Sequence, residues 1–514
     1  MSPPSPGGPE KSIDALLRES VHRHRDRPAI AFAGRRLRYG ELDEAVDALA
    51  ERIESAAGEH HGALHGRPIV VIAPNTPALV TALFAIWRLG AVAVPLNARL
   101  REHELRQILV DAEPVAVLSV GSYLGYAFTE LMPRLLPELP SVRACLFLDA
   151  DGAVESEEQR GGVTSRPEPL TAEVGVILYT SGTSGRPKGA LVGHLRELEA
   201  GPVLAAVLQL QPADAVAFVI PLSHAFGLTC LLACLSAGAT AVLVDSTSSL
   251  RPLLDAVAAE EATVLHGSPR LFSALLEASP TGLPSVRTGF VGGAPSPASL
   301  LERLDDAGTR ILNVYGLTET GAVSCCRPDD SADVRYTTAG RALPAQELRI
   351  VSADDGLPGE LQARGPHVTP GYLRNPEETA TAFDADWFRT GDLATIENGY
   401  VRIAGRSSEV VNVGGFNVFP AEVEAVLLGH PHILAAAVVG VGDAETGETL
   451  QAFVVPRPGT EFAPAALLRF ARGQIAGYKL PYAIHVLPEL PLLPSGKPDR
   501  QALRRSVSIP VRAA

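Results

Sequence analysis

Residues 179–189 have the sequence YTSGTSGRPKG and follow an apolar run that begins at Val174. The apolar run predicts a buried strand, and the Gly, Ser and Thr residues after it predict a loop that presents backbone N–H and hydroxyl groups. Lys188 adds a positive charge, so the stretch suits a polyphosphate. It is not a Walker A loop, because Lys188 precedes Gly189 rather than Ser or Thr. The alternative is a flexible surface linker, but a linker needs neither the strand before it nor the Pro-Lys-Gly after it.

Strand and helix patterns alternate on both sides of this stretch. The predicted strands are 69–72, 91–94, 115–118, 216–220, 239–244, 287–291 and 311–315. Such alternation predicts an α/β fold with doubly wound parallel sheets, and ligands of such sheets bind beyond the carboxyl ends of the strands. Four polar or Gly-rich segments occupy those ends and are expected to converge on one site: 179–189, 221–227, 292–297 and 315–320.

The sequence pattern changes in the last third of the chain. From about residue 340 to 404, short strands between Gly and Pro turns predict a β-rich subdomain. We therefore predict a disordered lead-in at 1–11, a large N-terminal domain at 12–404 and a small, mobile α+β domain at 405–514. Residues 149–168 lack an apolar pattern and are predicted to form a surface connection.

Composition narrows the class of protein. The 514 residues are 46% hydrophobic and 20% charged, as in an ordinary globular enzyme, and the net charge of -14 argues against a nucleic-acid partner. Five cysteines without paired spacing predict reduced thiols and a cytoplasmic location. The N-terminal residues contain no apolar core, so no secretory signal is expected. The longest apolar stretch, 228–244, is interrupted by polar residues, so stable membrane insertion is not expected either.

Seven motifs in one order point to a known family. They are YTSGTSGRPKG, PLSHAFG, GGAPSP, NVYGLTET, FRTGDL, GRSSEVVNVGGFNVFPAEVE and PSGKPDR. Together they resemble the adenylate-forming superfamily of acyl-CoA synthetases, peptide-synthetase adenylation domains and luciferases, and most closely its free-standing acyl- or aryl-CoA ligases. The resemblance extends from about residue 12 to residue 505.

The resemblance implies a two-step reaction. A fatty or aromatic carboxylic acid would be activated by ATP and Mg2+ to an acyl-adenylate with release of pyrophosphate, and then transferred to the thiol of CoA. A free-standing enzyme that loads the phosphopantetheine of an acyl carrier protein is one alternative, and a nucleotide-binding protein without turnover is another. The enzyme would be a monomer or a homodimer.

The resemblance also assigns catalytic residues. Lys497 would bridge the acid and the nucleotide, Glu319 would hold Mg2+, Thr318 would contact the α-phosphate, and His224 would line the acid site. Each of these side chains, taken singly, could equally be an ordinary surface or core residue. Their places within the motifs favour the functional interpretation.

Nucleotide and CoA contacts follow from the same motifs. Tyr315 would pack on the adenine, and Asp392 would accept from the ribose hydroxyls. The predicted cofactor-binding residues are Thr180, Ser181, Gly182, Thr183, Ser184, Gly185, Lys188, Gly293, Ala294, Pro295, Tyr315, Gly316, Asp392, Arg406, Gly414 and Gly415. Gly414 and Gly415 would border the pantetheine tunnel. The family usually carries Asp or Lys at the hinge, where this chain has Ser408.

The predicted acid pocket is apolar. It comprises His224, Phe226, Gly227, Gly292 and Leu317. Amino-acid-activating relatives place an Asp in the segment that is PLSHAFG here, so an α-amino acid substrate is not expected. His266 and Arg270 lie in a segment that the family uses near the pocket, although a surface position is the better interpretation of Arg270.

Overall fold

The computed structural model describes residues 12–58, 62–159, 168–181, 187–245, 249–351, 358–413, 416–443, 447–460, 463–472, 474–493 and 496–507. The predicted lead-in at 1–11 lies outside these ranges.

The first sheet has seven strands, of which the inner five pair in parallel and the two at the edges pair antiparallel. In sheet order the strands are Pro187–Gly193, Val174–Ser181, Val92–Leu96, Pro68–Ile72, Ala116–Val120, Ala144–Leu148 and Val154–Gln159. The inner strands are continuous apolar runs, as expected for strands that are covered on both faces.

The second sheet has fourteen strands and changes character along its width. Its parallel part comprises Pro28–Phe32, Thr240–Leu243, Ala215–Phe218, Val264–Leu265, Thr288–Val291 and Arg310–Leu317, with Arg35–Arg38 antiparallel at the edge. Its antiparallel part continues through Gly321–Cys325, Arg341–Ala342, Tyr400–Arg406, Trp387–Glu397, Phe383–Asp384, Gly359–Arg364 and Glu347–Val351. The predicted β-rich segment is thus an extension of a parallel sheet, and the antiparallel part begins before residue 340.

Helices cover the two sheets. They are Ile13–His24, Tyr39–Ala56, Pro77–Arg88, Glu102–Ala112, Phe128–Leu135, His194–Val207, Ala225–Ser236, Arg251–Ala259, Pro269–Ala278, Ala298–Asp306, Ala332–Thr337 and Pro376–Ala382. Pro77–Arg88 is buried along its whole length except at Arg88, so it lies in the core rather than on the surface. These layers confirm the predicted α/β fold with doubly wound parallel sheets.

The C-terminal residues build a separate sheet with its own core. Its strands are Val411–Val413, Phe416–Val418, Ile433–Asp443, Gly447–Pro456 and Ala483–Val486, and its helices are Pro420–Leu428, Pro464–Arg472 and Arg500–Val507. Val438, Val454 and Leu467 pack in this core. The domain boundary at residue 404 and the hinge at Ser408 remain predictions.

One expectation about local structure was wrong. The surface connection predicted at 149–168 contains the strand Val154–Gln159. That strand is rich in Glu and lies at a sheet edge, so it shows no apolar alternation. Among the described residues, no helix is long and apolar enough to cross a membrane.

Three buried histidines make the stability of the fold depend on pH. His194 and His266 each accept a backbone N–H at Nδ1, from Ile13 at 3.2 Å and Phe290 at 3.1 Å, and His367 is 1% exposed. Burial lowers the pKa of His266 to about 3 and that of His194 and His367 to about 4. The folded protein therefore keeps these rings neutral, whereas the unfolded chain protonates them near pH 6.5.

We therefore expect the free energy of unfolding to fall as the pH drops below 6.5, by about 1.4 kcal/mol per histidine and pH unit until the folded protein also binds protons. His266→Asn keeps an acceptor for Phe290 and removes one titrating group. Its thermal unfolding midpoint should fall less between pH 7 and pH 5 than that of the unchanged protein. Phe272→Leu, in the same buried region, should lower the midpoint about equally at both pH values. Equal pH-induced losses in His266→Asn and the unchanged protein would contradict this account.

Candidate functional site

The described ends of the Gly-rich stretch lie in two paired strands, and the loop predicted between them remains a prediction. Strands Val174–Ser181 and Pro187–Gly193 pair antiparallel, with Thr180 opposite Lys188. This strand pair is held from the side by backbone hydrogen bonds to the segment around residue 372: Leu191 N–H donates to Gly371 O at 3.0 Å, and Leu373 N–H donates to Gly189 O at 2.8 Å. Gly182, Thr183, Ser184, Gly185 and the side chain of Ser181 lie outside the described residues.

Lys188, in the strand Pro187–Gly193, already has a counter-ion. Its ammonium pairs with Glu378, which lies in the helix Pro376–Ala382. Lys188 Nζ also lies 5.8 Å from the centre of the Tyr372 ring, and the side chain is only 13% exposed. A polyphosphate that binds Lys188 must therefore compete with a carboxylate.

Thr318 and Glu319 lie in the turn of a tight hairpin. Leu317 and Gly321 face each other across strands Arg310–Leu317 and Gly321–Cys325. A Cβ atom on Gly316 would lie 1.9 Å from the carbonyl oxygen of Gly321, and Gly321 itself has a φ of +60°. Only glycine fits at position 316, and the positive φ favours glycine at 321. The hairpin therefore fixes where Thr318 and Glu319 lie.

The Glu319 carboxylate is positioned by a tyrosine distant in sequence. Tyr372 OH donates to Glu319 Oε1 at 2.9 Å, and Thr369 N–H donates to the Glu319 carbonyl at 2.6 Å. Burial and the neighbouring carboxylate raise the pKa of Tyr372 above its ordinary value, so it remains a proton donor. Within the described part of the chain, no three His, Cys, Asp or Glu side chains form a metal-binding group. One carboxylate with free lone pairs fits Mg2+, which commonly takes its other ligands from phosphate and water.

Asp392 lies buried between Tyr315 and Arg406. Its side chain is 7% exposed, Oδ2 accepts from Tyr315 OH at 2.7 Å, and Oδ1 pairs with Arg406 Nε at 2.9 Å. The strand register places Asp392 directly opposite Arg406. Burial raises the pKa of Asp392, while Arg406 and Tyr315 oppose that shift. The structure thus brings three predicted nucleotide-binding residues into one contact.

Lys497 reaches this site from the C-terminal sheet. It lies close enough to Asp392, Glu319 and His224 to interact with them electrostatically. Burial and Arg406 lower the pKa of Lys497, and the carboxylates of Asp392 and Glu319 oppose that shift. The lysine that the motifs assign to the joining of acid and nucleotide therefore faces the predicted nucleotide site.

Arg500 holds the segment that carries Lys497. Arg500 Nη1 lies 2.6 Å from Glu424 Oε1 and donates to Val438 O at 2.6 Å, and its Nε lies 3.2 Å from Glu409 Oε2. Glu409 closes the short turn Ser407–Glu409, where the hinge is predicted. The side chain of Ser408, together with Gly414 and Gly415, lies outside the described residues.

The predicted acid pocket is built from aromatic and backbone surface. His224 is the N-cap of helix Ala225–Ser236, and burial followed by Lys497 lowers its pKa. A Cβ atom on Gly292 would lie 3.1 Å from Val314 and 3.7 Å from Phe226, which shows how closely these residues approach. Glycine is required at 227 for another reason, since a Cβ there would lie 2.2 Å from the carbonyl oxygen of Pro221.

His266 packs below this pocket. Its ring stacks on Phe290 at 5.7 Å and contacts Phe226 edge-on at 6.2 Å. Nε2 of His266 is buried without a hydrogen-bond partner among the described residues. Arg270 is exposed on helix Pro269–Ala278, as expected for a surface residue.

The remaining predicted residues lie at strand ends beside these groups. Gly293, with a φ of +80°, and the exposed Ala294 and Pro295 follow strand Thr288–Val291, and Leu317 ends the neighbouring strand. Sequence inspection did not find Tyr372 and Glu378. Their only signal is the short motif Gly371-Tyr372 with an acidic helix start after it.

Comparison with known proteins identifies relatives over the whole chain. The model of the family described as AMP-binding enzyme matches residues 17–373, and that of the AMP-binding enzyme C-terminal domain matches residues 422–497. The chain is 35% identical to 3-[(3aS,4S,7aS)-7a-methyl-1,5-dioxo-octahydro-1H-inden-4-yl]propanoyl:CoA ligase of Mycobacterium tuberculosis, over 96% of this chain and 98% of the relative. It is 34% identical to feruloyl-CoA synthase of an Amycolatopsis species, over 93% and 95%. The ATP-bound structure of MatB from Rhodopseudomonas palustris superposes with a TM-score of 0.84 at 28% identity, over 96% and 98%.

Asp392→Asn tests whether the buried carboxylate accepts hydrogen bonds from the ribose hydroxyls of ATP. The substitution replaces charge-assisted hydrogen bonds by weaker neutral ones. We therefore expect ATP to bind about 10- to 100-fold more weakly. Titration calorimetry with Mg·ATP measures the change. Asp384→Asn is the control, because Asp384 pairs with Arg349 away from the proposed site and is 56% exposed. Equal affinities in the two variants would contradict the assignment.

Proposed function

Because the chain belongs to the family of AMP-binding enzymes and is an AMP-forming acid–thiol ligase, we propose that it joins an aryl or alicyclic carboxylic acid to CoA through an acyl-adenylate. One observation supports the proposal: Lys497 lies within electrostatic range of Glu319 and Asp392, although the three residues lie far apart in sequence.

The acid is inferred from the chemistry of the pocket. Phe226 and Val314 border it, His266 lies beneath it, and its backbone at Gly292 leaves no room for a side chain. In the segment 221–227, no acidic side chain is present to pair with an amino group. Aromatic rings prefer flat or rigid apolar partners, and the relatives from Mycobacterium tuberculosis and Amycolatopsis are both named for ring-bearing acids.

In the first step, a carboxylate oxygen of the acid attacks the α-phosphorus of ATP. A new O–P bond forms, the bond from the α-phosphorus to the bridging oxygen breaks, and pyrophosphate leaves. Lys497 neutralises the two approaching anions, Thr318 orients the α-phosphate, and Asp392 holds the ribose. Mg2+, when bound at Glu319, neutralises charge on the phosphate oxygens.

In the second step, the CoA thiolate attacks the acyl carbon and AMP leaves. Lys497 is not needed there, and the resemblance assigns the path of the pantetheine arm to Gly414 and Gly415, which lie outside the described residues. We assign the change between the two steps to the turn Ser407–Glu409. Arg500 links the Lys497 segment to this turn, because its Nε lies 3.2 Å from Glu409 Oε2.

A panel of acids tests the proposal. ATP–pyrophosphate exchange is measured with ferulic, phenylacetic, indole-3-acetic, alicyclic, medium-chain fatty, malonic and amino acids, and thioester formation is then followed with CoA. We expect exchange and CoA thioester with ring-bearing acids. Exchange without CoA thioester would favour a carrier-protein acceptor, best exchange with fatty acids would overturn the substrate class, and no exchange with any acid would overturn the enzymatic function.

The role of Lys497 is tested separately in each step. Lys497→Ala should reduce adenylation by at least about 100-fold, as expected for loss of a charge that stabilises the transition state, and should leave thioester formation from supplied acyl-AMP nearly unchanged. The pKa of Lys497 lies below its ordinary 10.5. We therefore expect kcat/KM for adenylation to fall as the pH rises toward this lowered pKa, because the ammonium then loses its charge. Lys497→Arg should shift this alkaline decline to higher pH. Equal loss of both steps in Lys497→Ala would refute the assignment.

A further inference from the structure

We propose that Arg196, paired with Glu197, is a positioning residue that holds the Thr318–Glu319 peptide from its buried side and so sets the geometry of the Mg·ATP site. The proposal rests on the function proposed above and adds to it a residue pair outside the seven motifs. Both residues lie in the first turn of helix His194–Val207.

The guanidinium of Arg196 packs against the buried side of the hairpin that carries Thr318 and Glu319, which we call the catalytic hairpin. Arg196 is 1% exposed and Glu197 is 0% exposed. Arg196 Nη1 donates to the Thr318 carbonyl oxygen at 2.7 Å. A Cβ atom on Gly321 would lie only 2.8 Å from Arg196 Nε, so the hairpin rests directly on the guanidinium.

This hydrogen bond fixes the direction of a second group. The described chain contains no cis peptide bond, so the Thr318 carbonyl and the Glu319 N–H point in opposite directions. With the carbonyl held toward Arg196, the Glu319 N–H points away from the buried side. Among the described residues, nothing accepts a hydrogen bond from this N–H. Arg196 therefore orients both an amide donor and the carboxylate that follows it.

The contacts of Arg196 and Glu197 indicate that the pair positions the hairpin rather than stabilises the fold. Arg196 Nε lies 3.2 Å from Glu197 Oε1, yet Arg196 Nε, Arg196 Nη2 and Glu197 Oε1 complete no hydrogen bond with described residues. A buried ion pair can often be replaced by apolar side chains without loss of stability. The well-formed hydrogen bond of Arg196 goes to the catalytic hairpin instead. Burial lowers the pKa of Arg196, and the charges of Glu197 and then Glu319 oppose that shift, so Glu319 also lies within electrostatic range of Arg196.

The same pair reaches the acid pocket. Glu197 Oε2 accepts from Thr229 Oγ1 at 2.9 Å, and Thr229 lies in helix Ala225–Ser236. The first turn of that helix carries Phe226 and Gly227. A continuous polar contact therefore runs from the helix that lines the pocket, through Glu197 and Arg196, to the peptide that precedes the Glu319 carboxylate.

The test compares two double variants of the full chain. Arg196→Met with Glu197→Gln removes both charges and keeps an acceptor for Thr229. Arg335→Met with Asp305→Asn is the matched control, because Arg335 is 6% exposed at its side chain, pairs with Asp305 at 2.5 Å, and lies outside the proposed machinery. Arg196→Lys retains a cation without the guanidinium geometry.

Pyrophosphate exchange with the best acid of the panel gives kcat and KM, calorimetry gives the affinity for Mg·ATP, and thermal unfolding gives the midpoint. In the Arg196 double variant we expect kcat to fall about 10- to 100-fold, since small displacements of reacting groups have effects of that size, with KM for the acid within about twofold. Mg·ATP should bind more weakly. Arg196→Lys should recover part of kcat. In the control, the unfolding midpoint should fall about as much as in the Arg196 double variant, whereas kcat and the affinity for Mg·ATP should stay unchanged.

Unchanged kcat and Mg·ATP affinity in the folded Arg196 double variant would overturn the proposal, and so would an equal loss in the control. If the unchanged protein catalyses no exchange with any acid, the proposed function fails. Mg·ATP affinities of the same variants would then still decide the inference about Arg196.

Discussion

A buried carboxylate is the constraint on which this site depends. Burial raises the pKa of Asp392, and Arg406 and Tyr315, which contact its two oxygens, oppose that shift. Arg406 ends strand Tyr400–Arg406, and the turn toward the C-terminal sheet begins at the next residue. The predicted ribose acceptor and the predicted domain junction therefore share one ion pair. A nucleotide that engages Asp392 changes the environment of the residue next to the turn.

The sequence predicted the framework of the fold well because the framework is local. Buried parallel strands are apolar runs, and helices such as Pro77–Arg88 carry the expected pattern within a residue or two. The strand Val154–Gln159 escaped detection because an edge strand needs no apolar face. The pairing of Thr180 with Lys188 at the ends of the Gly-rich stretch was not predicted, because strand pairing between two short segments leaves no pattern in one sequence.

The candidate site could be predicted only as a list of single residues. Its motifs named Glu319, Asp392 and Lys497, and also Tyr315 and Arg406, which contact Asp392, but not the side chains that hold Thr318 and Glu319. Tyr372 contacts Glu319 at a sequence separation of 53 residues, and Arg196 contacts Thr318 at a separation of 122. Such contacts leave no periodic signal in one sequence, because they depend on how two sheets and their connecting helices pack. Adjacent opposite charges in the first turn of a helix, as at Arg196 and Glu197, are the signal that could have been followed.

The pairing of Lys188 with Glu378 has a consequence for any anion that binds there. The carboxylate on helix Pro376–Ala382 already neutralises the ammonium, so an arriving anion gains less free energy than it would at an unpaired lysine. An anion that leaves Lys188 exposes a cation whose internal counter-ion is still at hand. The partly buried lysine therefore has a charged partner both with and without a ligand.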